Sequence, residues 1–460
     1  MSENEDHLES EGDISEERPA LIEKESTDFE IDPKKIDQNA LWVIKKLRAK
    51  GFEAYLTGGC VRDLLLNIVP KDFDVATSAR PEEVRSIFRN CRLIGRRFLL
   101  AHVIFPGGKI IETATFRANP IDEVAAEEEA EDLLVLQDNV YGSMEQDAFR
   151  RDLTINGLFY DPVEGKVIDY VGGREDLKNK IIRTIGDPDI RLQEDPVRIL
   201  RSIKFACRLG FDIEENTLSS MRKFSKELLR CAPSRLQEEL FRMLTGGCAQ
   251  KSFALALNVG ALDFLMPELL EGMDIPLIED GCLRAPLSDE MIKQPVYDSW
   301  QNMLGSLDEV TQRNCAVASS VAFTALLMPA YLRLEKSEQN ERNWIDKLCV
   351  SWASRIRITR RDQDSIRLLL TAIPLFSLEK IHQKSAQYLV RKPWFREALL
   401  VYIIYLWAEG LSLDQVKIWK ALAHASQKLY MQDKSGVRGA MRFRKRRTPF
   451  RRRKPRFQRA

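Results

Sequence analysis

Residues 55–74 constrain this chain more than any other stretch. They read Tyr-Leu-Thr-Gly58-Gly59-Cys-Val-Arg62-Asp63, then Leu-Leu-Leu-Asn-Ile-Val-Pro-Lys, then Asp72-Phe73-Asp74. The pattern predicts a strand, a Gly-Gly turn, a short helix and a second strand. Side chains at i and i+2 on a strand point to one face, so Asp72 and Asp74 form a pair of oxygen ligands for a hard cation such as Mg2+. Phe73 and Val75 face the other way and can bury the strand's back. Glycines at a helix start let a backbone approach phosphate closely. No Gly-Lys-[Ser/Thr] follows, so this is not a Walker loop. The combination reads as a phosphate-and-metal site for nucleotidyl transfer.

At 460 residues the chain is too long for one compact core. Its 44% hydrophobic and 30% charged content fit a water-soluble globular protein. The net charge of +1 hides an asymmetry. Residues 1–30 hold twelve Asp/Glu against Arg18 and Lys24, whereas residues 431–460 hold thirteen Lys/Arg against Asp433. A basic tail predicts a polyanionic partner. Within it Phe443, Phe450 and Phe457 recur every seven residues, which suits RNA through phosphate neutralisation and base stacking. The bland alternative is a solubilising tail.

The eight cysteines are scattered without a Cys-x-x-Cys pair. Reduced thiols in a cytoplasmic protein are expected, not a disulfide framework or a zinc site. The acidic N-terminus lacks an apolar run, which argues against a signal peptide. The apolar runs Ala316–Met328 and Ala398–Ala408 are shorter than the roughly 20 residues that span a bilayer, so no membrane partner is expected.

Ala40–Lys50 has helical periodicity and stops at Gly51. Strand signals fall at Glu53–Leu56, Phe73–Ala76, Leu93–Ile94, Ala101–Phe105 and Lys109–Phe116, with a Gly107-Gly108 hairpin turn and a helix over Pro81–Asn90. Residues 119–132 carry seven Asp/Glu and no aromatic residue, and read as a loop. From Met144 onward helical patterns dominate, including Asp195–Gly210, Thr217–Cys231 and Ser234–Leu244, and 250–425 reads as helical throughout. The expected fold class is α+β: a small mixed-sheet head followed by an extended all-α remainder.

Further motifs bear on chemistry. Glu112, in the last head strand, and Asp152, in Arg150-Arg151-Asp152-Leu-Thr-Ile-Asn156, are both candidates for a third carboxylate. Arginines there suit triphosphate charge, and Asp152 and Asn156 suit sugar hydroxyls. In Glu194-Asp195-Pro-Val-Arg198-Ile-Leu-Arg201, Asp195 fits a helix N-cap and Pro196 a first helical position. Arg198 and Arg201 are i, i+3 neighbours, so an acid and an arginine there can offer an acceptor and a forked donor to a base edge. Arg96, Arg97 and His102 lie among apolar strand residues, where His102 reads as a core histidine.

In this order, Gly58-Gly59-x-x-Arg62-Asp63, Asp72-x-Asp74, Arg150-Arg151-Asp152-x-x-x-Asn156 and Glu194-Asp195-x-x-Arg198 make the chain resemble the class II nucleotidyltransferases of the DNA polymerase beta superfamily. That family includes tRNA CCA-adding enzymes and bacterial poly(A) polymerases. The resemblance covers about residues 38–245. Residues 89–103, Asp138-Asn-Val-Tyr-Gly142 and the arginine-rich tail are similar to the poly(A) polymerase branch. The acidic loop is a departure from it.

The resemblance implies an acidic segment (1–37), a catalytic head (38–185), a neck that binds nucleotide and RNA (186–248), an RNA-binding helical body and tail (249–430) and a basic RNA-binding extension (431–460). It implies Mg2+ on Asp72 and Asp74, ATP contacts from Gly59, Arg62, Arg151, Arg198 and Arg201, and Asp152 as the usual third acid, while strand geometry favours Glu112. The activity it implies is untemplated transfer of AMP from ATP to single-stranded RNA 3′ ends, as in mRNA polyadenylation. CCA addition to tRNA is the alternative, and an inactive RNA-binding relative is the remote one.

Overall fold

A computed structural model describes residues 30–95, 99–118, 140–279, 281–313, 315–336, 341–376 and 383–426. The acidic segment 1–29, Arg96–Phe98, the loop 119–139 and the basic extension from 427 onward lie outside the described residues.

The head begins with α1 (Gln38–Arg48), whose N-terminus is capped by Asp37, with its carboxylate accepting from the Asn39 and Ala40 amides. Ala40, Val43, Ile44 and Leu47 recur at helical spacing and are all fully buried. Gly51, at φ +88°, releases the chain into β1 (Ala54–Thr57). There follow α2 (Gly59–Leu65), β2 (Asp74–Thr77), α3 (Pro81–Ile87), β3 (Cys91–Ile94), β4 (Leu100–Ile104) and β5 (Ile110–Thr115).

The expectation of a sheet ending there is corrected by two later strands. After α4 (Met144–Phe149) come β6 (Phe159–Asp161) and β7 (Lys166–Ile168). Each has three residues, too few for alternation to register as a strand in sequence. Asp161 makes their turn by accepting from the Val163 and Glu164 amides. The sheet order is β3-β4-β5-β2-β1-β6-β7. Only β2 and β5 run parallel; the other pairs are antiparallel. One face packs Leu56, Val75, Ala101, Val103 and Ile111 against α1 and α3. Asp74, Glu112 and His102 occupy the other face.

Next come α5 (Gly173–Lys178), the short parallel pair β8 (Ile181–Ile182) and β9 (Asp212–Ile213), α6 (Pro188–Glu194), α7 (Val197–Leu209), α8 (Glu215–Lys223), α9 (Pro233–Thr245) and α10 (Ala249–Asn258). The single helix expected over Thr217–Cys231 divides, because α8 closes at Phe224 and a 3-10 turn takes Ser225–Arg230. Nor is 250–425 helical throughout: residues 274–279 and 281–288 run without helix, with Asp274 at φ +63°. Two prolines lie in this stretch, and Arg284 anchors it by pairing with buried Asp263.

A second core, separate from that of the head, runs from Leu192 to Trp419. Its spine is the helix Pro295–Gln312, which buries Trp300, Met303, Leu304, Leu307 and Val310 completely. This helix packs against Ser319–Lys336 and Phe395–Ala408. No helix among the described residues is long and apolar enough to cross a membrane.

Candidate active site

A cleft of about 920 Å3 opens between the sheet face that carries Asp74 and the charged faces of α7 and α9. It is lined by Gly58, Gly59, Arg62, Asp72, Asp74, Arg151, Asp152, Asn156, Asp195, Arg198 and Arg201. Every expected site residue except Glu112 therefore meets in one place. Twelve Lys/Arg line the cleft against seven Asp/Glu, so its field favours a polyanion.

Gly58 makes the turn at φ +70° and ψ −133°, a conformation that essentially only glycine adopts. A Cβ there would stand 3.1 Å from an Arg151 guanidinium nitrogen. Arg62, on α2, is buried and donates to Asp63 at 2.6 and 2.9 Å and to Asn156 Oδ1 at 2.6 Å. Its guanidinium lies 4.7 Å from the centre of the Phe205 ring, which Lys204 also meets at 4.9 Å. Burial pulls the Arg62 pKa below its ordinary value, against the attraction of Asp63.

Asp74 opens β2, paired with Thr57 on β1 and with Glu112 on β5. Asp72 precedes the strand in an exposed bend, which corrects the expectation that both acids are strand residues. Burial, then the charges of Glu112 and Asp72, push the Asp74 carboxyl up to about 6, while Arg151 pulls the other way. No Lys or Arg forms an ion pair with Asp74 among the described residues. Glu112 is half-exposed and lies 3.7 Å from His102 Nε2.

Asp152 has the opposite environment. Burial would raise its pKa, but Arg201, Asn156 and the Leu153 amide together hold it well below the carboxylate range. Arg201 Nε donates to Oδ2 at 2.6 Å, and Leu153 N–H and Asn156 Nδ2 donate to Oδ1 at 2.8 and 3.1 Å. Both oxygens are thus already engaged by donors.

Asp195 is not the helix cap anticipated for it. Pro196 takes the N-cap position of α7 without any side-chain bond. The Asp195 carboxylate instead receives a bidentate pair from Arg235 of α9, both bonds at 2.8 Å. Glu194 does not cap either: it accepts from Arg191 at 2.5 Å and from Arg198 at 3.0 Å. Arg191 also donates to the Phe149 and Arg151 carbonyls. Burial, with Arg198 nearby, pulls its pKa down to about 10. Arg151 lies beside Gly58, held by Asp147 at 2.8 Å and by the Asn156 carbonyl at 3.3 Å.

Sequence reasoning missed Asp147, Arg191, Lys204, Phe205, Arg208, Arg235 and Arg242, all of which line the cleft. Arg235, Glu239 and Arg242 share one face of α9, and this i, i+4, i+7 charged stripe was the available signal. Glu239 pairs with Lys204 and lies 3.7 Å from Arg201, joining α9 to α7.

Residues 54–183 match the family described as the Poly A polymerase head domain. Residues 210–273 match a second family, described as a probable RNA and SrmB-binding site of polymerase A. Among curated relatives, poly(A) polymerase I of Haemophilus influenzae is 49% identical over 245 residues, covering 52% of this chain and 54% of its own length. The CCA-adding enzyme of Lactobacillus helveticus is 36% identical over 219 residues, covering 48% and 53%. The chain spans about half the length of these curated relatives. The Bacillus stearothermophilus CCA-adding enzyme in complex with CTP shares the fold, with a TM-score of 0.60 at 23% identity over 86% of this chain and 82% of that one. The α+β architecture, a mixed-sheet head with a mainly helical remainder, is therefore a known one.

Proposed function

We propose that this chain is a template-independent polynucleotide adenylyltransferase, which adds AMP from ATP to RNA 3′-hydroxyl ends and releases pyrophosphate. The observation that carries the reading is the pairing of Asp74 and Glu112, carboxylates that form no ion pair with Lys or Arg among the described residues, with a cleft wall in which cations outnumber acids. Negative ligands on one side and a positive cradle on the other suit a metal-bound triphosphate.

The donor set fits Mg2+. Asp74 is crowded by other acids, which Arg151 offsets only in part, and it makes no ion pair with Lys or Arg among the described residues, a deficit that a divalent ion would fill. Among the described residues no three His, Cys, Asp or Glu side chains close around one point. That agrees with an ion that retains water and takes phosphate oxygens alongside one or two carboxylates. Asp72 and Asp74 are the proposed ligands, with Glu112 the nearest further carboxylate. Bound Mg2+ would activate the 3′-hydroxyl and neutralise charge building on the leaving pyrophosphate.

The protein's own part is positioning. Gly58 and Gly59 allow close backbone approach to phosphate, and Arg62 and Arg151 offer charge beside them. Asn156, fixed between Arg62 and Asp152, stands where a ribose would lie. Asp195 and Arg198, each held by protein partners, present an acceptor and a donor to the base with little freedom to adapt. Asp152 is proposed as a positioning acid, held in place by Arg201, Asn156 and the Leu153 amide.

The choice of ATP over CCA addition rests on the higher identity to the poly(A) polymerase. CCA addition is the second reading, supported by the shared fold and the Lactobacillus relative. Incubation with Mg2+, each single nucleoside triphosphate and a short unstructured RNA separates them. Long extension with ATP alone is expected. Addition of three nucleotides, confined to tRNA and requiring CTP, would establish the second reading. An inactive relative that only binds RNA would transfer nothing. The eight cysteines are free thiols, which suits the cytoplasmic setting we propose.

A further inference from the structure

The row of side chains around Asp74 does not stop at the cleft. Asp74 is paired in register with Glu112, Glu112 with His102 and His102 with Arg92. Directly opposed residues project to the same face of a sheet. These four side chains therefore form one line across β2, β5, β4 and β3, spanning about 14 Å at three strand spacings. Two residues along each strand, a second line runs in parallel. It is apolar: Ala76, Ala114, Leu100 and Ile94 share the same face.

The cleft wall takes in Asp74, Ala114 and Leu100 and ends there. Beyond it, Ile94 is 47% exposed, an isoleucine left in the open on an edge strand. Arg92 is exposed too, and no carboxylate among the described residues pairs with it. His102 is held by Glu112 on one side and opposes Arg92 on the other. A strip with carboxylates at one end, an arginine at the other and an apolar flank matches the end of a nucleic acid strand. A terminal hydroxyl belongs at the acids, a backbone phosphate at the cation and base faces along the apolar line.

The geometry points to this strip as the seat of the RNA primer's last nucleotides, with Arg92 neutralising a backbone phosphate and Ile94 and Leu100 supporting the bases. The assignment rests on the nucleotidyl-transfer reading above and adds to it the direction from which RNA enters: over the β3 edge of the sheet. Arg92 and His102 lie outside the triphosphate cradle, so they bear on primer and not on ATP.

The test uses the full chain, Mg2+, ATP and an oligoadenylate trinucleotide. Arg92→Ala should raise the primer KM about tenfold, the weight of one charge-assisted contact. Arg92→Glu should raise it further, Arg92→Lys should restore it, and the ATP KM should stay constant in all three. An unchanged primer KM in a folded Arg92→Glu protein overturns the strip. So does an equal rise in the ATP KM, which would assign Arg92 to the nucleotide. Direct binding of a fluorescent trinucleotide separates this inference from the function itself. If the wild type binds the trinucleotide without extending it, and Arg92→Glu abolishes binding, the strip stands and the adenylyltransferase reading falls. If the wild type extends RNA and Arg92→Glu alters neither binding nor KM, the reverse holds.

Discussion

Arg201 Nε donates to Asp152 Oδ2 at 2.6 Å, and this bond fastens helix α7 to the floor of the head. The partners are 49 residues apart, each belonging to one wall of the cleft. Asp152 is held charged by its neighbours, whereas Asp74, on the same cleft, is pushed toward protonation. On the reading proposed above, these environments suit Asp152 to positioning and Asp74 to metal ligation.

The first prediction concerns that pair. Arg201→Ala strands a buried carboxylate and should cost about 2–4 kcal/mol, the lower end reflecting partial exposure of the arginine. Asp152→Asn combined with Arg201→Gln should recover much of it. A double-mutant cycle in urea measures the coupling. Because the folded Asp152 pKa is depressed, its contribution is present above the unfolded carboxylate value of about 4 and is lost as the pH falls below it.

Asp74 gives the opposite sign. Its folded pKa is raised, so the ionised form costs stability as pH rises through about 6, and the cost disappears as pH falls toward the unfolded value. Asp74→Asn should stabilise the metal-free protein at pH 8 by roughly 1–3 kcal/mol and have little effect at pH 4. Thermal melts at the two pH values check this, and a loss of stability at pH 8 would contradict it.

Gly58→Ala places a side chain at φ +70° and 3.1 Å from Arg151. The cost should be roughly 1–3 kcal/mol, with weakened ATP binding because Arg151 must move. Calorimetric titration of ATP into the folded variant reads the second effect separately from the first.

Arg235→Ala frees the Asp195 carboxylate while leaving it in place. If a rigid acceptor selects the base, the ATP KM should rise about tenfold, and CTP should become a better substrate relative to ATP. Competition between the two nucleotides in single-turnover extension measures the ratio.

Much of the site was legible in the sequence because it is built from local patterns. Gly58-Gly59, set between a strand pattern and an apolar helical run, reads as a turn into a helix, and Asp72-x-Asp74 leads directly into a strand. What was not legible depends on distant pairing. The bond from Arg235 to Asp195 spans 40 residues, and no spacing rule links them, so Asp195 read as a helix cap. The short strands β6 and β7 exist because the sheet already formed by β1 offers them an edge, an effect of tertiary structure on three-residue segments with no signal of their own. Glu112 and Asp152 both stayed open as the third carboxylate, because strand register and the arginine contacts that bear on the choice belong to the folded chain.

The central claim is that AMP moves to RNA at Asp72 and Asp74. The most direct measurement follows label from ATP into RNA, comparing ATP labelled at the α-phosphate with ATP labelled at the γ-phosphate, for the wild type and for Asp72→Ala. The account predicts that α-label enters RNA with Mg2+ present, that γ-label leaves as pyrophosphate, and that Asp72→Ala abolishes the transfer while RNA binding remains. Transfer retained by Asp72→Ala, or γ-label appearing in RNA, would contradict it.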